Sequence, residues 1–115
     1  MTSAEQAHLL ILKIIEEDPQ VNQRQLAERL GVSLGKAHYL LKALLDKGYV
    51  KAGNFFRAEN KLKYAYLLTP DGINAKLSLT RNYLARKEEE YVRMKAEIDL
   101  MRADLARLDR DAEGL

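Results

Sequence analysis

The sequence contains no cysteine, which excludes disulfide bonds and any metal site or catalytic nucleophile built on sulfur. Its only histidines, His8 and His38, are far apart in the sequence and have no acidic cluster beside them. Metal sites and catalytic bases need such neighbours, so we expect His8 to be a surface residue of the first helix. We therefore predict no catalytic residue, no metal and no cofactor, and we do not expect an enzyme.

Long apolar runs are also missing. The apolar run 9–12 is followed directly by Lys13, and no stretch approaches the roughly 20 apolar residues that span a membrane. The first residues lack the basic segment of a secretion signal. We expect a cytoplasmic protein with no membrane partner.

The net charge is only +2, but the basic residues are unevenly distributed. Residues 33–64 carry seven basic and two acidic side chains, whereas residues 71–115 carry nine basic and ten acidic ones. A local positive patch attracts phosphate groups. The patch favours a nucleic-acid partner, and the alternative is a solvated basic surface without a partner.

Proline and glycine are scarce, with two and six residues, and most of them fall at predicted helix ends. Ser3 is a candidate N-cap of a first helix, which the Asp18-Pro19 pair ends because the residue before proline avoids the helical region. Asn22 is a candidate N-cap of a second helix over 23–30. Its buried stripe is predicted at Leu26, Ala27 and Leu30.

A short turn separates the second helix from a third. Gly31 is predicted to end the second helix, Ser33 to cap the third, and Gly48 to follow its last turn. The apolar positions of the third helix fall on one face: Ala37, Leu40, Leu41, Leu44 and Leu45. Two helices joined by a short turn containing glycine form a helix-turn-helix.

Two short segments rich in β-forming residues, 49–52 and 63–68, follow the third helix and predict a hairpin, or wing. The segment 53–61 between them is prone to turns and partly basic. Phe55 and Phe56 lie in it, and they either pack the hairpin onto the core or form an exposed contact surface. The expected fold is mainly α (α+β), a winged helix-turn-helix domain with a two-stranded β wing.

Thr69-Pro70-Asp71-Gly72 predicts the start of a long helix, with threonine as the cap and proline in the first position. No proline or further glycine interrupts the sequence from there to about Asp109. We predict three parts: a winged-helix domain over 1–70, a long C-terminal helix over 70–110 and a frayed tail over 111–115.

The exposed face of the third helix is the candidate DNA-reading surface, because an α-helix fits the major groove and its first residues meet base edges. The alternative is that these are ordinary exposed residues. A basic wing tip would lie along the phosphate backbone or the minor groove. The predicted DNA-binding residues are Gln23, Arg24, Ser33, Gly35, Lys36, His38, Tyr39, Lys42, Arg57, Lys61 and Lys63.

The long helix carries a heptad pattern. Its early part, with Ile73, Leu77, Leu79 and Tyr83, is expected to cover its own domain. Its later part is expected to form a two-stranded coiled coil, the dimerisation region of a homodimer, and the alternative is a helix folded back on the same chain. The predicted dimer interface is Leu84, Tyr91, Met94, Ile98, Met101, Leu105 and Leu108.

Charges beside this seam favour one orientation. Glu90, Glu97 and Asp104 occupy heptad position g, and Lys95 and Arg102 occupy position e. A parallel pair sets g against e of the other chain, whereas an antiparallel pair sets like against like. Each exposed pair contributes only about 0–1 kcal/mol, so the charges favour a parallel dimer without fixing it.

These segments resemble MarR-type winged-helix regulators at residues 25–33 (QLAERLGVS), 44–50 (LLDKGYV) and 68–72 (LTPDG). More narrowly, they are similar to the small exopolysaccharide-associated branch at 32–36 (VSLGK), 41–44 (LKAL), 60–61 (NK), 64–70 (YAYLLTP) and 79–91. The resemblance implies a dimeric regulator encoded near exopolysaccharide biosynthesis genes. It implies DNA binding through the helix that begins at Ser33 and through the wing.

The chain departs from ordinary MarR proteins in two respects. Asn60-Lys61 stands where they carry an Asp–Arg pair, so that internal brace is not available at the wing tip. The longer N-terminal and paired C-terminal helices that form their ligand cleft are also missing. These departures put the ligand cleft, and with it regulation by phenolic ligands, in doubt, and any small-molecule effector is unknown.

The leading hypothesis is a sequence-specific DNA-binding transcriptional regulator that acts as a homodimer on double-stranded DNA and controls exopolysaccharide biosynthesis genes. The alternative is a winged-helix and coiled-coil adaptor that binds other proteins, since fold alone does not prove function. The basic bias of residues 33–64 favours the first, because an adaptor would not need it.

Overall fold

The computed structural model describes residues 3–57 and 62–114, and the side chains of residues 4–53 and 64–114. Helices predominate, with one two-stranded antiparallel sheet and a long C-terminal helix, as the sequence predicted. The elements in chain order are α1 (Ser3–Glu17), α2 (Gln23–Leu30), α3 (Leu34–Asp46), β1 (Val50–Arg57), β2 (Leu62–Leu68) and α4 (Pro70–Glu113).

The caps of the helix-turn-helix are those predicted. The Asn22 side chain accepts a hydrogen bond from the Gln25 backbone amide at 2.8 Å, and the Gln25 side chain accepts one from the Asn22 amide at 3.0 Å. This reciprocal pair is a capping box. Gly31 ends α2 in the left-handed conformation, with φ 70°. The predicted cap at Ser3 is not observed, because Ser3 is the first residue of α1 itself.

The end of α3 is closed by Gly48, whose φ of 75° is a left-handed conformation that favours glycine. The Gly48 amide donates to the Leu45 carbonyl at 3.0 Å, and the Tyr49 amide donates to the Leu44 carbonyl at 3.0 Å. These two bonds form a Schellman motif. The chain therefore leaves α3 and enters β1 within three residues.

The core lies among α1, α2, α3 and the base of the wing. Its largest fully buried side chains come from α1, from the turn after it, and from α2 and α3: Ile11, Leu12, Ile15, Val21, Leu26, Leu41 and Leu44. His8, predicted at the surface, is partly buried instead. Burial and the nearby Lys47 ammonium lower the pKa of His8, and Glu5 opposes this shift.

The wing strands are longer than predicted. β1 was expected over 49–52 and continues to Arg57, so residues 53–57 belong to a strand and not to the tip. Val50 pairs with Leu68, but Phe55 pairs with Tyr64, so β1 holds one extra residue between Ala52 and Phe55. Such a bulge lets turn-prone residues remain within a strand. The side chains of Phe55 and Phe56 lie outside those described.

The joint between the wing and α4 explains the Thr69-Pro70-Asp71-Gly72 segment. The Thr69 hydroxyl caps α4 by accepting from the Gly72 amide at 3.0 Å, and it donates to the Gly48 carbonyl. A Cβ on Gly72 would lie 1.9 Å from the Tyr49 carbonyl oxygen. The start of α4 therefore packs directly on the turn between α3 and β1, and only glycine permits this contact.

α4 ends at Glu113 and not near Asp109, so it includes residues 111–113 of the segment expected to be frayed. Met1–Asn82 form one compact unit and Tyr83–Leu115 a second. Of the α4 residues expected to cover the first unit, Leu79 packs against its core, whereas Ile73 and Leu77 are about half exposed. The prediction that Ile73 and Leu77 are covered by the first unit was therefore wrong. Tyr83, also predicted to cover that unit, is the first residue of the second unit.

Candidate nucleic-acid interface

α3 has one buried face and one exposed face. Ala37, Leu40, Leu41 and Leu44 are buried, as the pattern predicted. The other face is exposed, and it carries these residues predicted to contact DNA: Ser33, Gly35, Lys36, His38, Tyr39 and Lys42. The structure therefore brings Gly35, Lys36, His38, Tyr39 and Lys42 together on the exposed side of α3, with Ser33 directly before the first residue of the helix.

The N-terminal turn of α3 is fixed by its cap. The Ser33 hydroxyl accepts a hydrogen bond from the Lys36 backbone amide at 3.1 Å. The hydroxyl oxygen thus acts as the cap of the helix. Leu34, the first residue of α3, has 48% of its surface exposed. The sequence did not indicate this residue, because its spacing three positions before Ala37 matches the core stripe. An exposed apolar side chain at this place can contact a thymine methyl group.

The two lysines on the exposed face of α3, Lys36 and Lys42, each contact another side chain of the same helix. The Lys36 ammonium lies 5.3 Å from the centre of the Tyr39 ring, a cation–π distance. The Lys42 ammonium contacts the Asp46 carboxylate at 3.0 Å. The Asp46 carboxylate therefore partly offsets the charge of Lys42, whereas Lys36 lies beside an aromatic ring.

Gln23 joins α3 to the wing. Its side-chain oxygen lies 3.2 Å from His38 Nδ1, and its side-chain nitrogen donates to the Tyr66 hydroxyl at 3.3 Å. Both polar atoms of the amide thus have partners within the protein. No local sequence pattern indicates Tyr66 as part of this site, because Gln23 and Tyr66 are far apart along the chain. Arg24, beside Gln23 at the start of α2, is exposed.

The predicted wing contacts are described only in part. Arg57 is the last residue of β1 and pairs with Leu62, and Lys63 pairs with Phe56. Their side chains lie outside the described residues, as does the whole of Lys61. Lys51, at the base of β1, is exposed. β2 is attached to the turn after α1, because the Pro19 carbonyl accepts hydrogen bonds from the Ala65 and Tyr66 amides at 2.8 and 3.2 Å.

The second unit is a single helical segment with an apolar stripe. Every predicted interface residue in it is exposed, from Leu84 to Leu108, and Ile98 is the least exposed of the set at 41%. Ile98, Met101, Leu105 and Leu108 line one continuous apolar surface, with Arg102 and Asp104 at its side. Near the N-terminal end of this unit, the Lys87 ammonium donates a hydrogen bond to the Glu90 carboxylate at 3.1 Å. This contact raises the pKa of Lys87.

Among residues 3–57 and 62–114, no group of three or more histidine, aspartate or glutamate side chains is placed to hold a metal ion. Over the same residues, no helix is both long enough and apolar enough to span a bilayer.

Sequence comparison gives one family match. Residues 5–51 match a model of winged helix-turn-helix DNA-binding domains. This segment covers α1 from Glu5 onward, α2, α3 and the first residues of β1, so it contains the whole exposed face of α3. Among proteins of curated function, no sequence matches that of this chain.

Several solved structures share the fold. The PcaV transcriptional regulator from Streptomyces coelicolor is 21% identical, with a TM-score of 0.61 over 99% of this chain and 81% of its own. A MarR/EmrR family transcriptional regulator from Acinetobacter sp. ADP1 is 18% identical, with a TM-score of 0.61 over 100% and 78%. Streptococcus pneumoniae FabT, in complex with DNA, is 25% identical, with a TM-score of 0.55 over 94% and 75%. The chain therefore has the winged helix-turn-helix fold of MarR-type transcriptional regulators.

Proposed function

We propose that this protein is a sequence-specific DNA-binding transcriptional regulator that acts as a homodimer. The observation that carries the proposal is the exposed face of α3, where a capped N-terminal turn presents Lys36, His38 and Tyr39 together. A helix with this polar and basic face fits the major groove. The DNA complex of FabT, which shares the fold, supports this assignment.

Each exposed group has a role in this proposal. Leu34, His38 and Tyr39 face base edges, while Lys36 and Lys42 contact phosphates. Phosphate contacts set affinity and register, and base contacts set sequence preference. Arg57, Lys61 and Lys63 add charge along the hairpin, where a wing would follow the backbone or the minor groove.

The dimer is proposed to form through the distal part of α4. A lone helix in water is only marginally stable, and its stability in proteins comes mostly from packing an apolar face. Here the apolar residues repeat at heptad positions a and d from Tyr91 to Leu108. Isoleucine at a, as in Ile98, with leucine or methionine at d is compatible with a two-stranded coil. The occupant of this face is therefore a second copy of the chain.

Charge complementarity favours a parallel pair. Glu97 at position g would meet Arg102 at position e of the other chain, and Glu90 would likewise meet Lys95. Glu90 also bonds Lys87 in its own helix, so Glu97 and Arg102 form the clearer pair. A parallel coil brings both winged-helix units to the same end of the dimer, where they can bind adjacent half-sites.

Because the chain lacks cysteine, one introduced thiol reports orientation directly. Ala112 occupies the a position that follows Leu105, so Ala112→Cys should place two thiols at the same level of a parallel dimer. We expect a disulfide-linked dimer to form readily under mild oxidation, measured by non-reducing gel electrophoresis. Equivalent a positions in a parallel coil come within the distance that a disulfide needs.

Ala103→Cys is the matched control, because Ala103 occupies the outward f position of the same helix. It should cross-link much more slowly than Ala112→Cys. Equal rates for both variants would point to random collisions. A dimeric Ala112→Cys protein that does not cross-link would indicate an antiparallel coil.

For the regulated genes, we propose those of exopolysaccharide biosynthesis, and the sequence resemblance supports this proposal. The test is to capture sheared genomic DNA of the organism that encodes the protein on the purified protein, and to sequence the bound fragments. Enrichment of regions upstream of exopolysaccharide genes supports this target. Enrichment elsewhere would retain DNA binding and reject the target, whereas no enrichment would reject sequence-specific DNA binding and favour an adaptor.

A further inference from the structure

Gln23 restrains the orientation of a side chain on the exposed face of α3. We call Gln23 with its two side-chain contacts the Gln23 bridge. Gln23, partly buried at the start of α2, contacts His38 of α3 on one side and Tyr66 of β2 on the other. His38 is exposed on the face that we assign to DNA. The bridge therefore connects the orientation of an exposed imidazole to the base of the wing.

The orientation of the Gln23 amide in the bridge decides which tautomer of a neutral His38 fits it. An amide oxygen only accepts hydrogen bonds, and an amide nitrogen only donates them. With the Gln23 nitrogen donating to the Tyr66 hydroxyl, the Gln23 oxygen faces His38 Nδ1 at 3.2 Å. His38 Nδ1 must then carry the hydrogen. His38 Nε2, on the far side of the ring, is left as a hydrogen-bond acceptor.

The major groove distinguishes acceptors from donors. Adenine and cytosine each present an amino group there, whereas guanine and thymine present a carbonyl oxygen. An imidazole acceptor held against one strand therefore bonds an adenine or cytosine of that strand. Opposite a guanine or thymine, the same ring nitrogen faces a carbonyl oxygen. Both atoms are acceptors, so no hydrogen bond forms between them.

We propose that His38 reads an amino base, adenine or cytosine, at one position of each half-site, and that Gln23 and Tyr66 are positioning residues for it. The proposal rests on the proposed function and adds the chemical class of base that this face selects. Gln23, predicted from the sequence as a DNA contact, acts instead through His38. The wing thereby affects base preference through Tyr66 as well as contacting the backbone.

The test begins with the full chain and a pool of random-sequence duplexes. At one position of each half-site, we expect adenine or cytosine to be favoured over guanine or thymine about fivefold, as one neutral hydrogen bond allows. His38→Ala should abolish this preference at that position and retain those at the others. Gln23→Leu should reduce it to less than about twofold although His38 is still present.

Tyr66→Phe is a second, milder variant that removes only the hydroxyl. It should also weaken the preference, because the Gln23 amide loses its acceptor and can turn over. Gln20→Leu makes the same change at an exposed glutamine in the turn before α2, and it should leave the fivefold preference intact. Far-UV circular dichroism and melting curves verify that each variant is folded.

The outcomes separate this proposal from the proposed function. If the wild-type protein selects a sequence but His38→Ala leaves every position unchanged, the reading by His38 is wrong. A preference for guanine or thymine at the position that depends on His38 would show a donor at Nε2 and overturn the tautomer. An unchanged preference in both Gln23→Leu and Tyr66→Phe would overturn their positioning role. If the wild-type protein selects no sequence at all, the proposed function itself fails.

Discussion

Replacing Ile98 with glutamate is expected to convert the dimer into monomers and to weaken DNA binding by more than about 100-fold. Ile98 lies in the middle of the heptad seam, between Tyr91 and Leu105. In a parallel coil, the substitution would bury two carboxylates against each other, without a partner of opposite charge. A monomer binds only one half-site, and so it loses the gain in affinity that comes from tethering two binding units.

Sedimentation equilibrium measures the oligomeric state, and fluorescence anisotropy with a duplex selected by the wild-type protein measures binding. Ala103→Glu introduces the same charge at an outward position, and it should remain dimeric with unchanged affinity. If Ile98→Glu stays dimeric, the interface lies on another surface of the chain. If it becomes monomeric and binds as tightly as before, dimerisation is not part of DNA recognition.

The second large effect is expected from removing both lysines of α3. Lys36→Ala combined with Lys42→Ala should reduce affinity by about 10- to 100-fold at low salt, because phosphate contacts supply most of the electrostatic binding energy. The slope of log affinity against log salt should become shallower by about two to four, since a dimer loses up to four contacts. Lys36 should account for more of the loss, because Asp46 already pairs with Lys42.

Anisotropy titrations at several salt concentrations measure both quantities. Arg93→Ala combined with Arg107→Ala removes the same charge from outward positions of the second unit, and Arg107 has its own carboxylate partner in Asp104. This control should change affinity and slope little. An unchanged slope in the lysine variant would show that α3 does not contact phosphates, and would contradict the proposed interface.

Local signals in the sequence were sufficient for the helix-turn-helix. Asn22, Ser33, Gly31 and Gly48 each act within a few residues of their own position, through a cap or a left-handed turn. Such interactions need no knowledge of the rest of the chain. The exposed face of α3 followed from the same local pattern, because burying its apolar stripe leaves the opposite side exposed.

The features that the sequence did not predict depend on distant partners. β1 continues beyond Ala52 because Phe55 and Phe56 pair with β2, and this pairing overrides the turn preference of Gly53 and Asn54. The close contact of Gly72 with Tyr49 was likewise hidden by separation along the chain. Leu34 lies three positions before the buried Ala37 and is nevertheless exposed, so the buried stripe of α3 begins at Ala37.

The bridge at Gln23 is the clearest case. Its partners lie 15 and 43 positions away in the sequence, and a glutamine at a helix start has many other uses. The sequence correctly indicated that His38 is exposed on α3, but not which of its ring nitrogens faces the protein. That information comes only from the side-chain contacts that Gln23 makes with His38 of α3 and Tyr66 of β2.

Selection of bound duplexes from a random-sequence pool, followed by sequencing, tests the central claim most directly. A parallel dimer with two copies of α3 should enrich an inverted repeat, with half-site centres separated by about 10 base pairs or a multiple of that spacing. Enrichment of this repeat would also report the geometry of the dimer. A pool that remains unenriched, or that yields a single half-site without its repeat, would contradict recognition of DNA by a dimer through α3.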